Sequence, residues 1–268
     1  MVSEMMQKTY AITGVSNGIG RELSRILKSA GYSVVGLDIV EPADSVDQFI
    51  ELNLSDLASV ERAASDMPND LDGLCNCAGL PPRPGLAAKI LAVNFFGTRR
   101  LTELSQPKLG EGASVVNLAS RAGQGWKDGV EQVTRLARLD LGADIEGFVT
   151  AEKITSIRAY DLSKEAVILW TMASSENYLN RGQRINSISP GAVDTGILQD
   201  FEAAFGERMT RNVERAGRAG SPEEIAHLAA FLLSPESSWI KGSDVPIDGG
   251  MSAFQTSDAL SLSDMLSE

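Results

Sequence analysis

The sequence predicts a three-layer α/β fold in which helices cover both faces of a doubly wound, seven-stranded parallel sheet. Short apolar runs alternate with longer helical patterns from the first ten residues to the last thirty. This alternation is typical of repeated βα units around a parallel sheet. No linker interrupts the series, and 43% of the residues are hydrophobic. We therefore expect a single domain over residues 1–268.

Seven apolar runs are predicted to form the strands. In chain order they are Thr9–Thr13, Ser33–Leu37, Phe49–Leu52, Gly73–Ala78, Ser114–Ala119, Arg184–Ile188 and Val245–Ile247. The segments between them contain patterns with helical periodicity. The clearest predicted helices are Ile19–Ala30, Ser55–Met67, Lys89–Leu104, Ile157–Asn180 and Pro222–Leu233.

Two segments depart from this alternation. Residues 124–155 form a long stretch of mixed polarity between two motifs that are expected to meet in space, so we expect an inserted segment with helices of its own. Residues 253–268 extend past the last strand as a disordered acidic tail, a subunit contact or a flap over the pocket. Of these three, the tail is the preferred interpretation.

The charge of the chain argues against two classes of partner. With 36 acidic and 24 basic residues the net charge is −12, and no run of Lys or Arg interrupts it. Phosphate backbones and anionic membranes attract basic surfaces, so we expect neither a nucleic-acid nor a membrane partner. The first residues lack a signal-peptide pattern and no apolar stretch reaches a membrane-spanning length, which indicates a cytoplasmic protein.

No metal site is expected. Cys75 and Cys77 share one face of a predicted buried strand, where neighbours at this spacing rarely pair. His227, the single histidine, lies in a helical pattern far from either cysteine and is interpreted as a helix-face residue.

A glycine-rich turn follows the first predicted strand and opens the first predicted helix. Gly14, Gly18 and Gly20 occupy positions where a Cβ would obstruct a pyrophosphate or the turn itself, and the helix N-terminus offers free N–H groups. Asp38 follows at the end of the second strand, at the distance from Gly20 that the motif requires. This context indicates a Rossmann-type dinucleotide site.

The acid at the second strand favours NAD over NADP. The Asp38 carboxylate would accept hydrogen bonds from the ribose hydroxyls and repel a 2′-phosphate, and Ile39, Val40 and Glu41 supply no compensating cation. The alternative is a surface aspartate at a strand end with no ligand.

Several short motifs resemble those of the short-chain dehydrogenase/reductase family, in the family's order. They are TGVSNGIG, NCAG (Asn76–Gly79), VNFFG (Val93–Gly97), SRAG (Ser120–Gly123), YDLSK (Tyr160–Lys164), SPGAVDT (Ser189–Thr195) and PIDGG. The resemblance spans nearly the whole chain. It implies that Tyr160 is the catalytic acid/base, Lys164 its activator, Ser120 the hydroxyl that polarises a carbonyl, and Asn94 the holder of a proton-relay water.

The resemblance also implies a set of cofactor-binding residues. Those implied on the adenosine side are Gly14, Asn17, Ile19, Asp38, Asn53, Leu54, Asn76, Ala78 and Gly79, and those on the nicotinamide side are Pro190, Gly191, Val193 and Thr195. Gly18, Gly20, Tyr160 and Lys164 complete the expected cofactor-binding set. The family usually has Asp where Asn53 stands, which puts one adenine hydrogen bond in doubt, and NCAG replaces a more usual NNAG.

The separation of Ser120 from Tyr160 along the chain is far longer than is usual in the family. It resembles the subgroup that contains bacterial 3α-hydroxysteroid dehydrogenase/carbonyl reductase. In that subgroup the inserted segment helps to build a subunit interface, which implies a homodimer here, with a tetramer as the alternative.

The residue types suit proton transfer at an alcohol. A phenol has a pKa near 10, so Tyr160 needs a neighbouring cation to favour the phenolate, and Lys164 lies one helical turn further along the same predicted helix. Taken singly, these two residues also fit an amphipathic helix pair. Ser120 likewise fits a plain strand-end hydroxyl, and Asn94 a helix-interior residue that bonds locally.

The expected substrate is a hydrophobic alcohol or ketone. The pocket should be bounded by residues 80–84, by Arg121 and Ala122, and by residues 196–212. In the last segment Ile197, Leu198, Phe201, Phe205 and Met209 recur at helical spacing and form either a lid or a core-packing face.

Together these features predict an NAD-dependent dehydrogenase of a cyclic secondary alcohol. A hydroxysteroid is the first expectation, and a monoterpenoid or aryl secondary alcohol is the alternative. A catalytically silent NAD-binding redox sensor is the alternative from another class.

Overall fold

The computed structural model describes residues 7–139 and 142–266. Within them, seven strands form one parallel sheet in the order β3-β2-β1-β4-β5-β6-β7. The strands are β1 (Thr9–Thr13), β2 (Ser33–Asp38), β3 (Gln48–Glu51), β4 (Leu71–Asn76), β5 (Leu109–Leu118), β6 (Arg184–Pro190) and β7 (Asp244–Ile247). The predicted fold class and strand number are confirmed.

Helices lie on both faces of this sheet. They are α1 (Gly18–Ser29), α2 (Leu57–Asp66), α3 (Ala87–Leu91), α4 (Thr98–Ser105), α5 (Val130–Ala137), α6 (Ile145–Ala151), α7 (Ser156–Leu179), α8 (Leu198–Phe205), α9 (Glu207–Ala216), α10 (Pro222–Leu233), α11 (Met251–Leu260) and α12 (Leu262–Met265). Short 3-10 turns cover Gln106–Lys108, Arg121–Lys127 and Pro235–Ser237. No helix within the described ranges combines the length and apolar character needed to cross a bilayer.

Alternate residues of each strand supply two hydrophobic cores. On one face Leu74 and Val115 pack with α2, α4 and α7, and on the other Cys75 and Val116 pack with α1 and α10. Because both faces are covered, the strands are apolar along most of their length rather than alternating with polar residues.

The strand order reverses between β1 and β4. From β1 the chain proceeds outward to β2 and β3, then returns to β4 and continues in the opposite direction. The two loops that leave the carboxyl ends of β1 and β4 therefore diverge, and ligands of open α/β sheets bind in the crevice between such loops.

One predicted helix is interrupted. The segment predicted as Lys89–Leu104 comprises α3, a π-helical stretch over Ala92–Gly97 and α4. Gly97 lies so close to the chain before α2 that a Cβ there would come within 2.0 Å of the Leu54 carbonyl oxygen. The packing of these two segments, which local periodicity does not encode, coincides with the widened turn.

The inserted segment carries helices, as expected. A 3-10 turn, α5 and α6 occupy its described part, and α5 packs on α7. Arg158 of α7 binds Glu165 with two 2.7 Å hydrogen bonds and reaches Gln132 of α5 at 2.9 Å. The insertion is thus joined to the helix that carries Tyr160.

The segment after β7 forms α11 and α12, so the preferred interpretation of residues 253–268 as a disordered tail is wrong for residues 253–265; residues 267–268 lie outside the described part of the chain. Arg215 of α9 forms a bidentate ion pair with Asp258 of α11 at 2.6 and 3.0 Å, and its guanidinium lies 4.8 Å from the ring centre of Phe254. These contacts give α11 a partner that is distant in sequence.

Cysteine and histidine side chains lie as the sequence indicated. The Cys75 and Cys77 sulfurs are 3.5 Å apart, and both residues are free thiols. His227 is exposed on α10, 3.7 Å from Glu223. Among residues 7–139 and 142–266, no group of three or more His, Cys, Asp or Glu side chains is arranged to hold a metal ion.

Candidate active site

A cavity of about 710 Å³ lies at the carboxyl ends of the strands, where the strand order reverses. Its wall comes from the glycine turn after β1, from the ends of β2, β4, β5 and β6, and from the segment containing α8 and α9. The volume is in the range typical of sites for cofactors and small molecules.

The glycine turn needs its glycines for steric reasons. Gly14 has φ +75°, and a Cβ there would come within 2.9 Å of the Ala78 amide nitrogen. A Cβ on Gly20 would come within 2.3 Å of the Gly14 carbonyl oxygen. The turn opens directly into α1, and Asn17 at its N-cap makes no side-chain capping hydrogen bond. The free N–H groups of α1 and the Asn17 side chain thus remain available to an anionic group such as a pyrophosphate.

Asp38 lies in the cavity wall at the end of β2. Its carboxylate accepts hydrogen bonds from the amides of Ser16 at 3.0 Å and Ile39 at 2.7 Å. The first of these bonds joins the end of β2 to the glycine turn. The cations nearest in sequence to that turn, on α1, face away: Arg21 and Arg25 lie 3.7 and 3.5 Å from Asp44.

Most of the predicted cofactor residues line this cavity. They are Gly14, Asn17, Gly18, Ile19, Gly20, Asp38, Asn53, Leu54, Ala78, Gly79, Tyr160, Lys164, Pro190, Gly191, Val193 and Thr195. The Asn53 oxygen also accepts from the amide and hydroxyl of Ser55 at 3.1 and 2.7 Å, which shapes the turn before α2.

Asn76 is the exception among them: it is not part of the cavity wall, and its place on the adenosine side stays a prediction. Its amide nitrogen donates to the Thr102 hydroxyl and to the Asn117 side-chain oxygen, each at 2.8 Å. The Asn117 amide in turn donates to Thr171 at 3.0 Å. This buried ladder fixes β4 and β5 against α4 and α7, while Cys77 takes the place in the cavity wall.

Tyr160 projects from the first turns of α7 into the cavity and is 7% exposed. The Ser120 hydroxyl, at the end of the loop that leaves β5, hydrogen-bonds to it. Burial raises the pKa of Tyr160 to about 12, because the phenolate loses hydration, and the hydrogen bond with Ser120 offsets part of this effect. The predicted acid/base and carbonyl-polarising residues therefore meet although the whole inserted segment separates them in sequence.

Lys164 is also buried, one turn further along α7. Its ammonium donates a 2.7 Å hydrogen bond to the Leu118 carbonyl oxygen and lies 5.9 Å from the centre of the Tyr160 ring. Burial lowers the pKa of Lys164 to about 8. Burial penalises the charged form of both groups, so it opposes the effect that a neighbouring cation has on the Tyr160 phenolate.

Asn94 lies in the π-helical stretch and is buried. Its side chain accepts from the Leu80 amide at 2.7 Å and donates to the Leu80 carbonyl oxygen at 3.0 Å and to Ser163 at 3.3 Å. A Cβ on Gly79 would lie 3.3 Å from the Asn94 oxygen and 3.7 Å from the Lys164 nitrogen. Asn94 thus holds the backbone beside Lys164, and its side chain does not form part of the cavity wall.

Aromatic rings form the substrate side of the cavity. Phe201 of α8 meets the Tyr160 ring edge to face, with centroids 5.2 Å apart, and stacks on Phe205 at 6.3 Å. Of the five apolar residues predicted for a lid or a core face, Leu198 alone is outside the cavity wall. Of the expected boundary at residues 80–84, Leu80, Pro81 and Arg83 are in the wall, as are Arg121 and Ala122.

Several wall residues were not identified from the sequence. They include Leu37, Cys77, Leu118, Ala192, Val213, Ala216 and Met251. Most of them flank motif residues that were identified, and their proximity is the signal that would have found them. Met251 begins α11, and nothing in its local sequence indicates that it reaches the cavity.

Two family models match adjoining parts of the chain. The model described as short chain dehydrogenase matches residues 8–132, and the one described as Enoyl-(Acyl carrier protein) reductase matches residues 147–252.

Curated relatives match over nearly their full length. The chain is 33% identical to a coniferyl-alcohol dehydrogenase of Pseudomonas sp., over 93% of this chain and 98% of that protein. It is 29% identical to a 3-alpha-hydroxysteroid dehydrogenase/carbonyl reductase of Comamonas testosteroni, over 90% and 95% of the two chains.

A solved structure has the same architecture. The 3-alpha-hydroxysteroid dehydrogenase from Pseudomonas sp. B-0831, complexed with NADH, superposes with a TM-score of 0.83 at 31% identity, over 92% of this chain and 98% of that one. The glycine turn, the cavity at the strand switch and these matches agree. The chain belongs to the short-chain dehydrogenase/reductase family, whose Rossmann-type fold binds a nicotinamide cofactor and whose members are oxidoreductases.

Proposed function

We propose that this protein is an NAD-dependent dehydrogenase that interconverts a hydrophobic cyclic secondary alcohol and its ketone. The observation that carries the proposal is the meeting of Tyr160, Ser120 and Lys164 at the floor of one apolar cavity that begins at a dinucleotide-type glycine turn. A catalytically silent redox sensor would need the glycine turn but not this second set of residues. We propose further that residues 1–268 act as one catalytic domain.

NAD is preferred over NADP because of the charges around the ribose position. Asp38 faces the cavity as a carboxylate, and Arg21 and Arg25 are directed at Asp44. A 2′-phosphate would meet a negative charge there without a cation to balance it. The NADH complex of the hydroxysteroid dehydrogenase neighbour supports the same choice.

Tyr160, Ser120 and Lys164 have separate roles in the proton transfer. A bound nicotinamide supplies the hydride acceptor for oxidation and the hydride donor for reduction. Tyr160 takes the hydroxyl proton of the alcohol, or returns a proton to the ketone oxygen, while the Ser120 hydroxyl donates a hydrogen bond to that oxygen. Lys164, held by the Leu118 carbonyl oxygen, brings a positive charge to within 5.9 Å of the Tyr160 ring, and the positive charge of an oxidised nicotinamide acts in the same direction.

A hydroxysteroid is the preferred substrate class. The substrate side of the wall is largely apolar, with Leu80, Pro81, Ile197 and Phe201 among its residues, and such a surface favours a large hydrocarbon body. The 3-alpha-hydroxysteroid dehydrogenase relatives support this choice. An aryl alcohol is the second candidate, since Phe201 and Phe205 offer ring faces and the coniferyl-alcohol dehydrogenase is 33% identical.

We also propose that the protein forms a homodimer through the inserted segment. Val130 at the start of α5 and Ile157 of α7 are 42% and 39% exposed, and a second copy would cover these apolar side chains. A light-scattering mass of twice that of the single chain supports the dimer, whereas the monomer mass contradicts it.

The test of the activity is the formation of reduced cofactor, followed at about 340 nm. The purified protein and its Tyr160→Phe variant receive NAD or NADP with hydroxysteroids, monoterpene alcohols and aryl carbinols. We expect turnover by the wild type with NAD, and NAD binding without turnover by the variant. Equal turnover by the variant would refute the role of Tyr160, and tight NAD binding without turnover of any alcohol would favour the sensor.

A further inference from the structure

An ion pair joins the loop that follows β4 to α8, and both segments contribute residues to the cavity wall. Arg83, in the loop that follows β4, donates to both carboxylate oxygens of Asp200 in the first turn of α8, at 2.9 Å each. The two residues are 117 positions apart in sequence. Bidentate arginine–carboxylate pairs fix orientation as well as distance, so this contact helps to set the position of α8 relative to the loop.

The neighbouring residue of α8 covers the catalytic tyrosine. Phe201 follows Asp200 directly, and its ring meets Tyr160 edge to face at 5.2 Å. All eight residues of α8 are described, and none of them is fully buried. Its Phe201 and Phe205 side chains pack against the edge of the hydrophobic core. Because so little of the helix is buried, the ion pair beside Phe201 also contributes to the position of its ring.

The structure provides a joint at the other end of α8. Gly206 separates α8 from α9 with φ +54° and ψ −139°, a conformation that favours glycine. Beyond it, α9 is tied to α11 by the Arg215–Asp258 pair. Helix α8 can therefore change direction at Gly206 while α9 stays attached to α11.

We propose that Arg83 and Asp200 are positioning residues, whose ion pair holds Phe201 over Tyr160 and so keeps water from the tyrosine hydroxyl until a substrate displaces it. This inference rests on the proposed function and adds to it the device that governs access to Tyr160. Arg83 does not serve as an anchor for an anionic substrate, because its Nε and one Nη are already directed at Asp200. An apolar substrate that enters beneath α8 takes over the covering role of Phe201.

The consequence for chemistry follows from burial. In the closed arrangement burial raises the pKa of Tyr160 to about 12. Lifting Phe201 admits water, which stabilises the phenolate and moves this pKa toward the ordinary value near 10. The ion pair is partly exposed, with side-chain exposures of 54% for Arg83 and 26% for Asp200, so salt should weaken it.

The experiment compares Arg83→Ala, Asp200→Asn and the double variant with the wild type. Arg211→Ala is the matched control, since it removes an exposed pair with Glu207 that lies within α9 and joins no walls. Hydrogen exchange of the peptide 197–206 reports the position of α8, and nitration of Tyr160 by tetranitromethane, resolved by peptide mass, reports its access to solvent. Neither measurement requires turnover, so a failure of the proposed activity does not affect them.

We expect each single variant to exchange about two- to fivefold faster over 197–206, the range that an exposed ion pair supports. Tyr160 should be nitrated faster in the same variants. The double variant should match the single ones, because both substitutions remove the same contact, and Arg211→Ala should match the wild type. Molar salt should bring the wild type close to Arg83→Ala.

The pH profile of catalysis then tests whether the Arg83–Asp200 pair positions Phe201 or only stabilises the fold. With an active alcohol, the pH profile of kcat/KM for Arg83→Ala should shift to lower pH than that of the wild type, and Arg83→Lys should recover part of the difference. Unchanged exchange and nitration in both single variants would overturn the inference. Additive effects in the double variant, or a loss of activity confined to anionic substrates, would overturn it as well.

Discussion

Replacing Lys164 by Met should stabilise the folded protein at neutral pH while it abolishes turnover. Burial lowers the pKa of Lys164 from 10.5 to about 8. Since each pKa unit corresponds to about 1.4 kcal/mol, the protonated lysine costs the folded state about 3 kcal/mol at pH 7. Methionine has a similar length and no charge. It leaves the Leu118 carbonyl oxygen without its hydrogen bond, at a cost of about 1–2 kcal/mol, so the net gain is about 1–2 kcal/mol.

The pH dependence identifies the cause. Between pH 8 and 10.5 the unfolded chain keeps a proton on Lys164 that the folded protein has released, so this group makes the wild type more stable as pH rises. The penalty falls from about 3 kcal/mol at pH 7 to about 2 kcal/mol at pH 9. The advantage of Lys164→Met should narrow by about 1 kcal/mol over the same interval.

Urea unfolding followed by circular dichroism, at pH 7 and pH 9 without cofactor, measures both quantities. The exposed Lys89→Met is the control, and its free energy of unfolding should differ from that of the wild type by the same amount at both pH values. The reasoning fails if Lys164→Met is less stable than the wild type at pH 7, or if the difference between them stays constant up to pH 9.

Two further predictions concern the cofactor cradle. Gly14→Ala places a Cβ 2.9 Å from the Ala78 amide nitrogen at a φ of +75°. Calorimetry should therefore detect no NAD binding, and thermal unfolding should show a loss of stability of about 1–2 kcal/mol. Wild-type affinity for NAD would contradict the steric argument. Asp38→Ala removes the negative charge at the ribose position, so the ratio of kcat/KM for NAD to that for NADP should fall by about tenfold or more. An unchanged ratio would refute the assigned role of Asp38.

Local sequence predicted most of the fold because the strands are short apolar runs between strong turn signals. The start of β5 is an exception: the strand begins at Leu109, whereas the sequence predicted Ser114. Its first residues contain Gly110 and Gly112 and pair with β4 through a register shift. Glycine lowers strand propensity, and the cross-strand partner that overrides it is distant in sequence.

The candidate site likewise contains features that depend on local spacing and features that depend on tertiary packing. The glycines and Asp38 lie within one β-α-β unit and the Tyr160–Lys164 pair within one helix, so their spacings can be read directly from the sequence. Burial depends on how the whole chain packs, so local sequence does not show that the pKa of Tyr160 is raised. The edge-to-face contact of Phe201 with Tyr160 likewise depends on how α8 lies over the cavity.

The hydrogen bonds of Asp38 constrain attempts to redesign the cofactor preference. Besides its proposed role in selecting NAD, its carboxylate accepts hydrogen bonds from the Ser16 amide of the glycine turn and from the Ile39 amide at its own strand end. A small or basic side chain introduced to admit a phosphorylated ribose would also remove these two hydrogen bonds and leave the glycine turn less well ordered. Engineering of this protein should therefore begin with Asn, which keeps an oxygen acceptor, and add the compensating cation from a neighbouring position.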